Sequence, residues 1–166
     1  MKELLDDESL DPKKLFNKDE YSTVIIGRDG FTEKQNELAD VIESLLDPNL
    51  EREKKELLLA EIKKAKAGNM LLKAIESCDK SGDQAKLIAA CWECDLDFSA
   101  HFFNFVKLAC NSDFSVAMEA LTVIENCEEK IDSNELNKSL LFAKESNSTN
   151  KELVNDLLNN IEQRML

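Results

Sequence analysis

Phe105-Val106-Lys107-Leu108-Ala109-Cys110-Asn111-Ser112-Asp113-Phe114-Ser115-Val116-Ala117-Met118-Glu119-Ala120-Leu121 is the stretch that decides the fold. Apolar residues recur at helical spacing on both sides of a short polar interruption, so it reads as two amphipathic helices joined by a tight turn. Asp113 stands where a short side chain accepts from the unpaired N–H groups of a helix start. A single helical hairpin cannot bury its own apolar face, so this one needs neighbours built the same way, and small residues such as Ala89, Ala90, Ala117 and Ala120 allow them to approach closely.

The flanking sequence supplies those neighbours. Upstream, Leu38, Val41, Ile42 and Leu45, then Leu57, Leu58, Ile62 and Ala65, then Leu71, Leu72 and Ile75, then Leu87, Ile88, Cys91 and Trp92 each form one apolar stripe. Downstream, Leu136, Leu140 and Ala143 and then Leu153, Leu157, Leu158, Ile161 and Met165 do the same. With Phe102, Phe105, Val106 and Ala109 and the stripe that starts at Val116, the pattern predicts about eight helices. Thr32 with Gln35, Asp132 with Glu135 and Thr149 with Glu152 have the form of capping boxes, and Asp47 before Pro48 reads as a cap beside a proline at the first helical position. Asp97 and Asp113 are candidate caps for two more helices.

Cysteines mark a repeat. Cys78 and Cys110 each close a helix before a polar turn, 32 residues apart, and Cys94 and Cys127 do so 33 apart. At the second offset Leu87, Ile88 and Cys91 fall on Ala120, Leu121 and Ile124, so a period of two helices follows.

Composition agrees. Low aromatic content, four glycines and two prolines suit helices better than a fold that turns at every strand. β-branched residues run together only at Thr23-Val24-Ile25-Ile26, so residues 21–26 read as one brief extended segment and Gly27-Arg28-Asp29-Gly30 as a turn. Residues 1–30 are expected to be a mobile N-terminal segment containing that strand and turn, and residues 31–166 the helical domain.

The opening stretch resembles a HEAT repeat: an apolar first helix, a short polar turn, an aspartate, then valine and a ladder of small residues. Leu71 to Trp92 is a fainter copy. The resemblance covers roughly residues 69–146 and departs from the pattern at Ala117, where the family has an arginine; armadillo-like arrays are close relatives. It implies an all-α fold, a short right-handed α-α superhelix of HEAT-like hairpins, and a role as scaffold or adaptor without catalysis.

The formal charge of -13, from 34 acidic and 21 basic residues, excludes the usual electrostatics of nucleic-acid binding and favours a protein or peptide partner with a basic surface. No run is long and apolar enough for a membrane span, so no membrane role is expected. Five cysteines in apolar helical settings suit reduced thiols and a cytoplasmic location. Monomer or weak dimer is the expected state.

Chemistry-bearing patterns are sparse. Cys91-Trp92-Glu93-Cys94 with His101 downstream has zinc-ligand residue types but lacks a second cysteine pair, so core packing is the better account and neither metal nor other cofactor is expected. His101 is the only histidine, which closes off sites that need two. Gly27-Arg28-Asp29-Gly30 lacks the Lys-Ser or Lys-Thr of a phosphate loop.

The candidate site is therefore a recognition face. Glu93, Asp95 and Asp97 occupy one turn between repeats, Glu125, Glu128 and Glu129 the next, and stacking would align them as an acidic ridge beside the aromatic anchors Trp92 and Phe103. Two alternatives remain. One is an acidic mimic of nucleic acid that inhibits a basic protein. The other is a HEAT-like enzyme such as a lyase, of which the family includes types that excise damaged bases or attach bilin pigments.

Overall fold

The computed structural model describes residues 25–166, and the apolar stripes emerge in it as eight α-helices with one 3-10 turn. In chain order they are α1 (Glu33–Ser44), α2 (Arg52–Lys64), α3 (Gly68–Ser77), α4 (Ser81–Glu93), the 3-10 turn Ser99–His101, α5 (Phe102–Asn111), α6 (Phe114–Glu125), α7 (Ser133–Lys144) and α8 (Lys151–Met165). The fold is all-α. The expected mobile segment up to residue 24, with most of the expected strand, lies outside the described residues. Ile25 and Ile26 are not in a strand: their N–H groups donate to Glu43 Oε1, each at 3.0 Å, which leaves them unavailable to a β partner. The turn that follows does form, with Phe31 N–H donating to Arg28 O at 3.0 Å and Gly30 at φ 76°.

The chain divides into two compact units between Leu96 and Asp97. In the first, α1 pairs with α2, α3 pairs with α4, and α1 packs on α3. Ile42, Leu58, Ile62, Leu71, Ile75, Leu87 and Ile88 are fully buried there. Burying each such side chain contributes on the order of 2 kcal/mol, the force that holds one hairpin to the next. In the second unit α5 pairs with α6 and α7 with α8, while α5 packs on α7 and α6 on α8. Its centre is Phe102, Phe105, Ile124 and Leu157, with the Phe98 ring edge-on to Phe105 at 5.6 Å. The same arrangement, two helical hairpins with their first helices in contact, thus occurs in each unit.

Helix ends explain where the hairpins turn. Thr32 and Gln35 form a complete capping box, Asp113 Oδ1 accepts from Val116 N–H, and Asp132 accepts from Asn134 and Glu135 N–H. Three expected caps are displaced. Asp97 does not cap α5, whose N-cap position is His101; its carboxylate accepts from Ser99 N–H instead. Asp47 does not start α2: its carboxylate accepts from Asn49 N–H and its carbonyl from Leu50 N–H, folding the Pro48 segment into a local turn before the helix begins at Arg52. Thr149 does not cap α8, which begins at Lys151 behind Asn150, because the preceding loop is held by Ser146 and Ser148 hydroxyls that accept from Ser148 and Asn150 N–H.

The first unit closes α2 and α4 with the same device. Lys66 and Asp95 both take left-handed backbone, φ 52° and 56°, just past the helix. Lys66 N–H bonds Lys63 O, Ala67 N–H bonds Ile62 O and Asp95 N–H bonds Trp92 O, satisfying carbonyls that helix ends leave unpaired.

Candidate functional site

The eight residues of the expected recognition face fall into two groups, one per unit. In the first unit Trp92 is the penultimate residue of α4 and 37 % exposed, turned away from Cys91, which is buried. Glu93 ends the helix, and Lys55 Nζ of α2 lies 3.1 Å from its Oε1 and 2.9 Å from its Oε2. Asp95, on the left-handed turn, pairs with Lys63 of α2 at 2.9 Å. Both acids therefore tie the end of α4 to α2. The Lys63–Asp95 pair is well exposed and contributes at most about 1 kcal/mol, so it can exchange its partner at little cost.

In the second unit Asp97 is a junction. One carboxylate oxygen accepts from Ser99 N–H at 2.9 Å and from the Ser99 hydroxyl, and the other from Glu129 N–H at 3.1 Å. Burial pushes its pKa up, but the Ser99 hydroxyl and N–H and the Glu129 and Glu128 N–H groups outweigh that, so the carboxyl sits below its usual range. Asp97 thereby fastens the loop after α6 to the start of the unit. Glu125, Glu128 and Glu129 are exposed around that loop.

Phe103 sits in different company. Its ring, half-buried on α5, has Lys138 Nζ 3.9 Å from its centroid, Lys107 Nζ at 5.2 Å, and the Phe142 ring edge-on at 5.5 Å. Two ammonium groups cover this aromatic, a cation–π arrangement.

The residues that hold these loops carry no specific signal in the sequence. Arg164 of α8 donates to Ile124 O at 2.8 Å and Cys127 O at 3.1 Å, and stacks 5.4 Å from the Phe102 ring centroid. It closes the carboxyl end of α6, where cations are favoured by the helix dipole. In the first unit Arg28 Nη2 bridges Asp40 at 2.7 Å and the buried Glu43 at 2.9 Å. Only a preference for basic residues near helix ends was available as a signal, and it does not name the helix.

All five thiols are unpaired. Burial raises each of Cys78, Cys91, Cys94, Cys110 and Cys127 above the ordinary thiol range, leaving the neutral, weakly nucleophilic form at neutral pH. Among the described residues no group of three His, Cys, Asp or Glu side chains could hold a metal ion, and no helix is long and apolar enough to cross a membrane. No protein-family model, curated protein or solved structure matches the chain.

Proposed function

We propose that this chain is a non-catalytic interaction module, a short right-handed superhelix of HEAT-like hairpins that holds a protein or peptide with a basic surface on one face. The observation that carries the reading is Trp92, the only tryptophan, held 37 % exposed at a helix end near Asp95, whose exposed ion pair with Lys63 is exchangeable. Large aromatic side chains on a surface are the usual anchors of recognition, and acids around them select a basic partner. In the second unit Glu125, Glu128 and Glu129 are exposed acids as well. The buried thiols are held in the neutral form and His101 is the only histidine, which speaks against thiol and paired-histidine chemistry in particular. A nucleic-acid mimic would need carboxylates alone, whereas the exposed Trp92 beside Asp95 adds an aromatic anchor, so the adaptor is the better supported reading. Unpaired thiols suit a reducing compartment, the cytoplasm.

The test is affinity capture from lysate of the source cells, comparing the native chain with a variant carrying Trp92→Ala and lysines at Asp95, Glu128 and Glu129, after circular dichroism has shown unchanged helicity. Retention of a defined protein by the native chain and its loss by the variant supports the recognition face. Equal retention by both overturns it.

A further inference from the structure

Helix α6 is apolar on more than its core side. Val116, Ala117, Ala120, Leu121, Val123 and Ile124 are buried, and the helix packs on α5 and α8. Outside that core Phe114 is 61 % exposed and Met118 41 %, four positions apart and so one above the other on the helix surface. Seven positions beyond Met118, two turns along the same line, stands the exposed Glu125. A single exposed apolar side chain needs no explanation, whereas two aligned on one helix face form a strip that a partner can remove from water.

The charge around this strip has a definite sign. Between Lys107 and Lys130 the chain contains no lysine or arginine, but it contains Asp113, Glu119, Glu125, Glu128 and Glu129. Of the two helices packed against α6, α5 carries Lys107 as its one charged side chain, and that ammonium lies over the Phe103 ring together with Lys138 of α7. Helix α8 carries Lys151 and Arg164 against Glu152, Asp156 and Glu162, and Arg164 is engaged with the carbonyls at the end of α6. With all of these groups and Lys130 included, eight carboxylates stand against four cations. Each helix adds a positive start and a negative end of similar size, so the dipoles leave that balance unchanged.

We propose that this face of α6 docks a basic amphipathic helix of the partner, with apolar side chains on Phe114 and Met118 and lysines or arginines toward Glu125 and the acids of the loop that follows, a deepening that rests on the basic-partner reading above. The backbone of α6 is bonded within the helix, so an extended peptide finds no row of free N–H and C=O groups to pair with. A second helix needs none, and its side chains at the same four-residue spacing interleave with Phe114 and Met118. The adaptable thioether of Met118 suits such a contact. An anionic lipid surface or the same face of a second copy would bring like charge against these carboxylates, so charge complementarity selects the basic helix.

The experiment is a 1H–15N NMR titration of the whole chain with acetyl-KLLKKLLKKLLK-amide, whose leucines recur at helical spacing, in about 0.15 M salt to screen diffuse attraction. The control peptide has the same residues reordered so that no apolar face forms. Signals of Phe114, Met118 and Glu125 are expected to move on one saturable curve with the amphipathic peptide alone. Met118→Lys, at an exposed helix position that lysine tolerates, should weaken that binding about tenfold, and Phe114→Ala should act in the same direction. Unchanged affinity in both variants overturns the proposal, as does equal binding of the control peptide. The probe has no tryptophan, so Trp92 emission reports contact with the first unit separately. A saturable Trp92 response with α6 silent overturns the α6 site and leaves the basic-partner reading standing. No saturable change anywhere overturns the α6 site and leaves the capture experiment to decide that reading.

Discussion

Each unit fastens a loose end with an arginine, and the two do so by opposite chemistry. In the first, Arg28 reaches carboxylates: Asp40, partly exposed, and Glu43, which is 1 % exposed and also accepts both Ile25 and Ile26 N–H groups. In the second, Arg164 reaches backbone carbonyls at the end of α6 and the side chain of Asn160. A buried carboxylate with three donors is sensitive to the loss of one partner, because desolvated charge or orphaned donors remain. A cation on neutral carbonyls is a helix cap, and its removal returns those carbonyls to water at smaller cost.

Substitutions at the two arginine sites should separate the cases. Glu43→Ala leaves two N–H groups and a guanidinium without their acceptor, with an expected loss of about 3 kcal/mol. Since Trp92 is the only tryptophan and belongs to the first unit, its fluorescence in a urea titration reports that loss. Arg164→Met keeps the stem that packs near Phe102 but removes the carbonyl bonds, and should cost about 1.5 kcal/mol. If the units unfold separately, Arg164→Met lowers the midpoint seen by far-ultraviolet circular dichroism and leaves the Trp92 transition in place. A matching shift in both signals would show one cooperative unfolding and end the contrast drawn between the units.

Local signals were legible in the sequence and distant ones were not. Helix number followed from apolar spacing, and Thr32, Asp113 and Asp132 cap as expected because capping needs only residues two or three positions away. Asp47 and Thr149 were misplaced because another local bond competed: Asn49 N–H captured the Asp47 carboxylate, and serine turns fixed the loop before α8. Arg28 with Glu43 and Arg164 with Ile124 lie 15 and 40 residues apart, so those pairs become visible only once helices have packed. The site divides the same way. Lys107 above Phe103 is the expected helical neighbour four positions on, whereas Lys138 above the same ring, and Lys55 and Lys63 on Glu93 and Asp95, come from other helices.

The smallest expected effect tests whether the second unit is as independent of carboxylate charge as Arg164 suggests. Asp97 is its exception, a carboxylate held below its usual range by Ser99, Glu129 and Glu128 donors against the opposing effect of burial. A depressed folded-state pKa means the stabilisation is fully present above the unfolded carboxylate value near 3.9 and is lost as pH falls through the folded value. Asp97 is largely exposed, so solvent screening limits the contribution to about 0.5 kcal/mol. Asp97→Asn keeps an oxygen for Ser99 N–H but removes the charge. Urea midpoints followed by circular dichroism at pH 6 and pH 3 should therefore draw closer together in the variant than in the native chain, by that small amount. An identical pH dependence in both chains would mean that the acid sensitivity belongs to other carboxylates, and that the Asp97 junction stabilises through hydrogen-bond geometry rather than charge.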